Sequence, residues 1–325
     1  MSRAWTVARR RLLHSIPVLA IVVLGMFALL EAAPGDAVDA YLAVSGGDAG
    51  LVAQLRQEWG LDRSFLARLG AYLAALGRFD LGWSVAFSRP VIAVVFERAP
   101  NTLLMMGAAI CFSFFAGTLL GVAAGVRPGS VRDRILSALA LILYATPSFW
   151  LGLMLLVSFA VKLSWFPLGG IENIGMPETG IARVIDIAHH LVLPVLSLGL
   201  IYLALYLRLM RSGMVEAWRS DYIRTARAKG LAPNRIAFRH AARNALLPVV
   251  TMLGLQAGAL LSGSVVVESV FAIPGMGRLA FEAVTQRDVP LLLGVFLVST
   301  IMVIVANFWV DLLYARLDPR VAVEE

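Results

Sequence analysis

The sequence predicts an all-α integral membrane protein with six transmembrane helices, and three observations carry that reading. Of 325 residues, 59% are hydrophobic and 15% charged, against roughly 25% charged in soluble domains. Six apolar stretches approach or exceed the ~20 residues that a helix needs to cross the hydrocarbon core. No Lys or Arg falls inside any of them.

The first stretch, Leu12 to Ala33, follows Arg9, Arg10 and Arg11. That start is like a signal peptide, but the apolar run exceeds the ~7 to 15 residues of a signal-peptide core, so an uncleaved first helix is expected. Residues 34–99 read as a long outer segment, with Gly46, Gly47 and Gly50 in a loop and an amphipathic pattern from Leu51 to Leu76. The second stretch, Thr102 to Val126, carries Gly117, Gly121 and Gly125 at intervals of four, a smooth stripe for close approach of another helix. Its Cys111 is the only cysteine and reads as a small buried apolar residue.

The third stretch, Ile135 to Val161, contains Pro147; the fourth and shortest, Leu191 to Leu207, contains Pro194. These prolines, with Pro17, interrupt helical hydrogen bonding at membrane depth. The fifth, Leu246 to Phe271, repeats the small-residue stripe with Gly254, Gly258 and Ser262, and the sixth runs from Leu291 to Ala315. With the N-terminus inside, the short loops hold eighteen basic residues on the cytoplasmic side and four outside, so both termini are expected in the cytoplasm. The resulting plan is 1–33 as cytoplasmic N-terminus and first helix, 34–99 as extracytoplasmic segment, and 100–325 as a five-helix core containing a cytoplasmic loop at 208–245.

This distribution also accounts for the net charge of +7 without nucleic acid. One cysteine excludes an internal disulfide, and His14, His189, His190 and His240 form no metal-ligand spacing, so no metal or cofactor is expected in this chain. Ser148 has no neighbouring Lys or His to make a membrane hydrolase. Lys162 and Lys229 are the only lysines and neither sits in a phosphate loop. Energy must come from another subunit or from an ion gradient. For the second possibility the acids are Glu31, Glu268 and Asp311, each near the end of a span where water can reach it.

The basic cytoplasmic segment carries the most information. Ser220 or Asp221 can cap a helix that Gly230 and Pro233 stop, and Asn234 can cap a second helix running toward the fifth span. The elbow between them, flanked by small Ala226 and Ala228, suits docking into a groove on a partner; a basic loop held near anionic lipid is the plain alternative.

Ala226-Arg227-Ala228-Lys229-Gly230-Leu231, followed by Arg243-Asn244-Ala245-Leu246-Leu247-Pro248, resembles the EAA-type loop of ABC importer permeases. Arg224 stands where that signature has its glutamate, and the interval from the glycine to Leu-Pro is long, as in the dipeptide, oligopeptide and nickel branch. Pro34-Gly35-Asp36, Arg127-Pro128-Gly129-Ser130, Pro147-Ser148-Phe149-Trp150-Leu151-Gly152, Phe271-Ala272-Ile273-Pro274-Gly275-Met276-Gly277 and the ending around Asp318-Pro319-Arg320 are similar to the same branch, in particular to its B-type permease.

The resemblance implies a type I ABC importer-like fold in the bacterial cytoplasmic (inner) membrane, moving di- or oligopeptides inward by alternating access. Nickel, glutathione or another small solute stays open as cargo, and an ion-gradient-driven secondary transporter is the alternative of another class. The implied partners are a second homologous permease, two ABC ATPase subunits that bind ATP and Mg, and an extracytoplasmic substrate-binding protein. Asp221, Tyr222, Thr225, Ala226, Ala228, Lys229, Gly230 and Leu231 would contact the ATPase. Gln256, Ser262, Ser264, Ser299 and Asn307 are the polar span residues available to line a path.

Overall fold

A computed structural model describes residues 16–29, 38, 57, 62–173, 175 and 179–317, with the backbone alone described at 257–264 and 311–317. The expectations at Arg9 to Arg11, Glu31, Pro34 to Asp36, the Gly46 to Gly50 loop and Asp318 to Arg320 lie outside these residues, as do the side chains of Ser262, Ser264 and Asp311.

In chain order the helices are α1 (Ile16–Leu29), α2 (Phe65–Leu76), α3 (Val91–Gly125), α4 (Val131–Ala145), α5 (Ser148–Leu155), α6 (Ile181–Trp218), α7 (Asp221–Ala228), α8 (Pro233–Arg235), α9 (Ala242–Val270), α10 (Met276–Thr285) and α11 (Val289–Leu317). Wider π-helical turns continue α5 through Leu156–Lys162 and join α8 to α9 through Ile236–Ala241. Two short strands, β1 (Trp83–Ser84) and β2 (Arg89–Pro90), pair antiparallel with Trp83 opposite Pro90. Among the described residues α3, α6 and Val289–Val310 of α11 are each long and apolar enough to cross a membrane, and the bent pair α4–α5 makes a fourth if counted as one span.

The chain divides into two compact units, residues 1–100 with 274–305 and residues 101–273 with 306–325. In the first, Val91, Val94, Val95 and Ala99 bury one stripe of α3 with Leu279 and Ala283 of α10 and Leu291 and Val295 of α11. This stripe explains why α3 begins eleven residues before the apolar stretch at Thr102. Glu97 and Arg98 hide the helix from a hydropathy window, but spacings of three and four mark its buried face. Asp288 opens α11 as its cap and pins the hairpin: its carboxylate accepts from Leu291 N–H at 3.1 Å, Ser84 hydroxyl at 2.6 Å and Ala86 N–H at 3.0 Å.

In the second unit the Gly117, Gly121 and Gly125 stripe has its partner in α6. A Cβ at Gly121 would lie 2.6 Å from that of Met210, and one at Gly117 2.7 Å from the Leu203 carbonyl, so only glycine allows this approach. Cys111, expected to be buried, is exposed on α3. It lies on a face of the helix away from the glycine stripe. Glu268 also departs from expectation. It is fully buried instead of water-reached, and Thr102 donates a hydrogen bond to it at 2.7 Å.

The third apolar stretch is broken. Thr146 adopts an extended backbone with ψ 128° because the ring of Pro147 excludes its helical conformation. The chain there turns by 104° between α4 and the helix that follows. Even so, the two ends of the pair meet α6 far apart. Asp133 of α4 binds Arg211, and Trp165, just past the π-helical turns, offers its carbonyl to the His189 ring N–H at 2.9 Å. Twenty-two residues of α6 separate those contacts, or about 33 Å of helix.

Candidate functional site

The basic segment at 208–245 folds, after the end of α6, into a helix, a tight elbow and a second helical entry. α7 starts at Asp221, whose negative charge suits the first turn of a helix. Ser220 precedes it but spends its hydroxyl on the Ala217 carbonyl at 2.5 Å. At the other end the Gly230 N–H returns to the Arg227 carbonyl at 2.9 Å and the Leu231 N–H to the Ala226 carbonyl at 3.3 Å. This paired closure requires a left-handed residue between, and Gly230 supplies it at φ +71°. Pro233 then sits at the first position of α8. Asn234, expected as the cap of this second helix, lies inside it because proline without an N–H already suits that start.

The helical repeat sorts the predicted residues into two faces. Asp221, Tyr222, Thr225, Ala228, Lys229 and Gly230 are exposed. Ala226 turns inward with Ile223, three residues earlier, and both are buried against Ala217, Ile236, Ala237 and Ala241. Leu231 is half-buried against the same cluster. Ala226 and Leu231 therefore seat the elbow, and the remaining six present it. The Ile223–Ala226 spacing was the available signal for that division.

Two residues that sequence reasoning did not single out tie helices together at and beside this region. Trp218, at the end of α6, donates its indole N–H to the Gly125 carbonyl of α3 at 2.8 Å, and the Arg227 guanidinium of α7 lies over the indole ring, 5.1 Å from its centroid. Arg211 pairs through Nε and Nη2 with both carboxylate oxygens of Asp133, the second at 2.8 Å. Gly129 N–H and Ser137 hydroxyl complete the Asp133 shell at 2.8 and 3.3 Å. In sequence these are an ordinary basic residue and an interfacial tryptophan; their partners lie 78 and 93 positions away.

Of the polar span residues, Gln256, Ser299 and Asn307 are half-buried. Asn307 Oδ1 is sealed from solvent with no hydrogen-bond partner among the described residues. His189 and His190 serve local structure. His190 pairs with Asp186 at 3.3 Å, while Asp186 accepts from both the backbone and side-chain amides of Asn173 at 2.8 and 2.6 Å. No cluster of metal-ligating side chains occurs among the described residues.

Residues 117–323 match the family described as the binding-protein-dependent transport system inner membrane component. The chain is 36% identical over 315 residues to the oligopeptide transport system permease protein AppB of Bacillus subtilis (strain 168), covering 96% of this chain and 98% of that protein. It is 38% identical over 327 residues to the di/tripeptide transport system permease protein DppB of Pseudomonas aeruginosa (strain UCBPP-PA14), covering 96% and 97%. Among solved structures it is similar to a chain of the MetNI methionine ABC transporter in an inward-facing conformation. There the TM-score is 0.54 at 18% identity, over 70% of this chain and 97% of that one.

Proposed function

The chain belongs to the family of inner membrane components of binding-protein-dependent transport systems, and from that premise we propose that it is the permease subunit through which an ABC importer passes short peptides into the cytoplasm. The observation that carries the substrate class is the near end-to-end match to permeases named for oligopeptides and di/tripeptides. The fold agrees with that of a type I importer permease.

On this reading the chain makes six crossings, assigned to α1, α3, the bent α4–α5 pair, α6, α9 and α11. The contacts of α4–α5 with α6, about 33 Å apart along its axis, support counting the bent pair as one broken crossing. The excess of basic residues in alternate short loops supports both termini on the cytoplasmic side, with 34–99 an outer segment and 100–325 the permease core. The cytoplasmic inner membrane of a bacterium is the setting this implies.

α7 is the coupling helix on this reading, and Asp221, Tyr222, Thr225, Ala228, Lys229 and Gly230 form its ATPase-facing surface, with Ala226 and Leu231 as its seat. The two ATPases, with ATP and Mg, drive the cycle, and a binding protein delivers cargo from outside. ATP can switch access only if the ATPases contact α7 differently in the two states. A second, homologous permease completes the path, toward which Gln256, Ser262, Ser264, Ser299 and Asn307 are assigned.

Affinity purification of the tagged chain tests the assembly. Two ABC ATPases, a second permease and a peptide-retaining binding protein should co-purify, and a complex whose binding protein retains nickel or glutathione would reassign the cargo while leaving the permease reading intact.

A further inference from the structure

We propose that Trp218 is a positioning residue that clamps α7 to the cytoplasmic end of α3, so that force applied to α7 reaches the membrane helices instead of bending the joint beside it. The proposal rests on the reading of α7 as the ATPase-coupling helix.

Only Arg219 and Ser220 join α6 to α7. A two-residue joint of that kind leaves a short helix free to swivel unless side chains fix it. Ile223 and Ala226 seat one face of α7 through apolar contact, which resists separation but is non-directional. Direction comes from the indole. Its face carries Arg227 from the last turn of α7, a cation–π contact. Its edge donates to Gly125, the last residue of α3, whose carbonyl is one of those a helix end leaves without an internal partner.

Gly125 packs closely on α6, where a Cβ would stand 2.5 Å from that of Met214. One side chain thereby connects α7 to α3 at a point where α3 and α6 are in close contact. The Arg211–Asp133 pair ties α4 to α6 and does not touch α7, so it does not substitute for the clamp.

The test uses the complete transporter in vesicles and reads the ratio of ATPase activity with and without solute-loaded binding protein. Trp218→Phe keeps a ring for Arg227 but loses the N–H; Arg227→Gln keeps length and loses the cation. Each should lower the ratio about fivefold, the change expected from one hydrogen bond of ordinary strength. The double variant should fall no further than the worse single one, because both act on one clamp. Spin labels on cysteines replacing Arg127 and Arg224, in a Cys111→Ser background, should give a narrow distance distribution that Trp218→Phe broadens. A parent-like ratio and width in Trp218→Phe, or two effects that multiply, would overturn the clamp. Should Trp218→Phe fail to assemble, Arg227→Gln and its label distances decide alone on the same criteria. Ala228→Trp, on the exposed face of α7, separates the two ideas: no change in its ratio removes the coupling-helix reading itself, whereas a lowered ratio beside an unaffected Trp218→Phe removes only the clamp.

Discussion

Arg211, near the C-terminal end of α6, grips both carboxylate oxygens of Asp133 in the first turn of α4, two residues before the apolar run starts. Asp133 is 3% exposed and Arg211 35%, so the pair is shielded mainly on the acidic side. The Arg211 hydrogen bond, helped by the Gly129 amide and Ser137, holds the Asp133 carboxyl down at about 2. With the unfolded value at about 3.9, the pair contributes fully above about pH 4 and is lost only as pH falls toward 2.

Arg211→Met should therefore destabilise the chain by about 3 kcal/mol, because it strands a buried carboxylate. Thermal unfolding in detergent should show the same loss at pH 6 and pH 8. Adding Asp133→Leu should recover most of it. A loss that grows between those two pH values would show the stranded Asp133 carboxyl itself giving up a proton there, as burial without a partner favours its neutral form.

Much of this architecture was legible because span length is a property of local sequence. Leu291 to Ala315 falls within an observed helix, and Thr102 to Val126 and Leu246 to Phe271 do so to within one residue. Hydropathy saw less where helices leave the apolar zone: α6 runs from Ile181 to Trp218, well beyond Leu191 to Leu207, because its ends are amphipathic. Pro147 announced a kink, yet its angle depends on how α5 packs against α6 through Gly152 and Ser197. At the elbow, Gly230 was readable from its own chemistry, whereas Trp218 and Arg211 acquire meaning only from Gly125 and Asp133, far away in sequence.

Gly121→Ala is predicted to cost about 2 kcal/mol or more, since its methyl would push into Met210 and the Leu207 backbone and force α3 from α6. Gly107→Ala, on the same helix with nothing within 4 Å, should stay within about 0.5 kcal/mol. Midpoints of thermal unfolding compare the two. Equal losses would mean that close approach to α6 does not set the cost, since alanine is by itself the better helix former.

Asp288→Ala should release the hairpin at residues 83–90 from the start of α11, removing a helix cap and two further hydrogen bonds from a buried carboxylate. The expected cost is about 2–4 kcal/mol. Hydrogen exchange should accelerate at Ala86, Phe87 and Leu291 and stay unchanged across α7. Unaltered protection at Ala86 would show that the hairpin holds without Asp288.

Gly230→Val should place a β-branched residue at φ +71°, straining the elbow by about 1–2 kcal/mol or opening it. Solute-stimulated ATPase activity should fall while membrane insertion stays normal. Gly230→Asn, which tolerates the left-handed region, should retain most of the stimulation. Since Gly230 has open space around it, a loss with Asn equal to that with Val would shift the cause from backbone strain to contact with the partner.

Peptide crosses the membrane through this chain at the expense of ATP bound elsewhere. The direct measurement is uptake of a labelled tripeptide into vesicles that hold the complete transporter, with ATP supplied to the ATPases and the proton gradient collapsed. Uptake should persist under those conditions, stop when ATP is withheld, and drop with Gly230→Val. Uptake that disappears with the gradient and ignores ATP would instead make this chain a gradient-driven transporter.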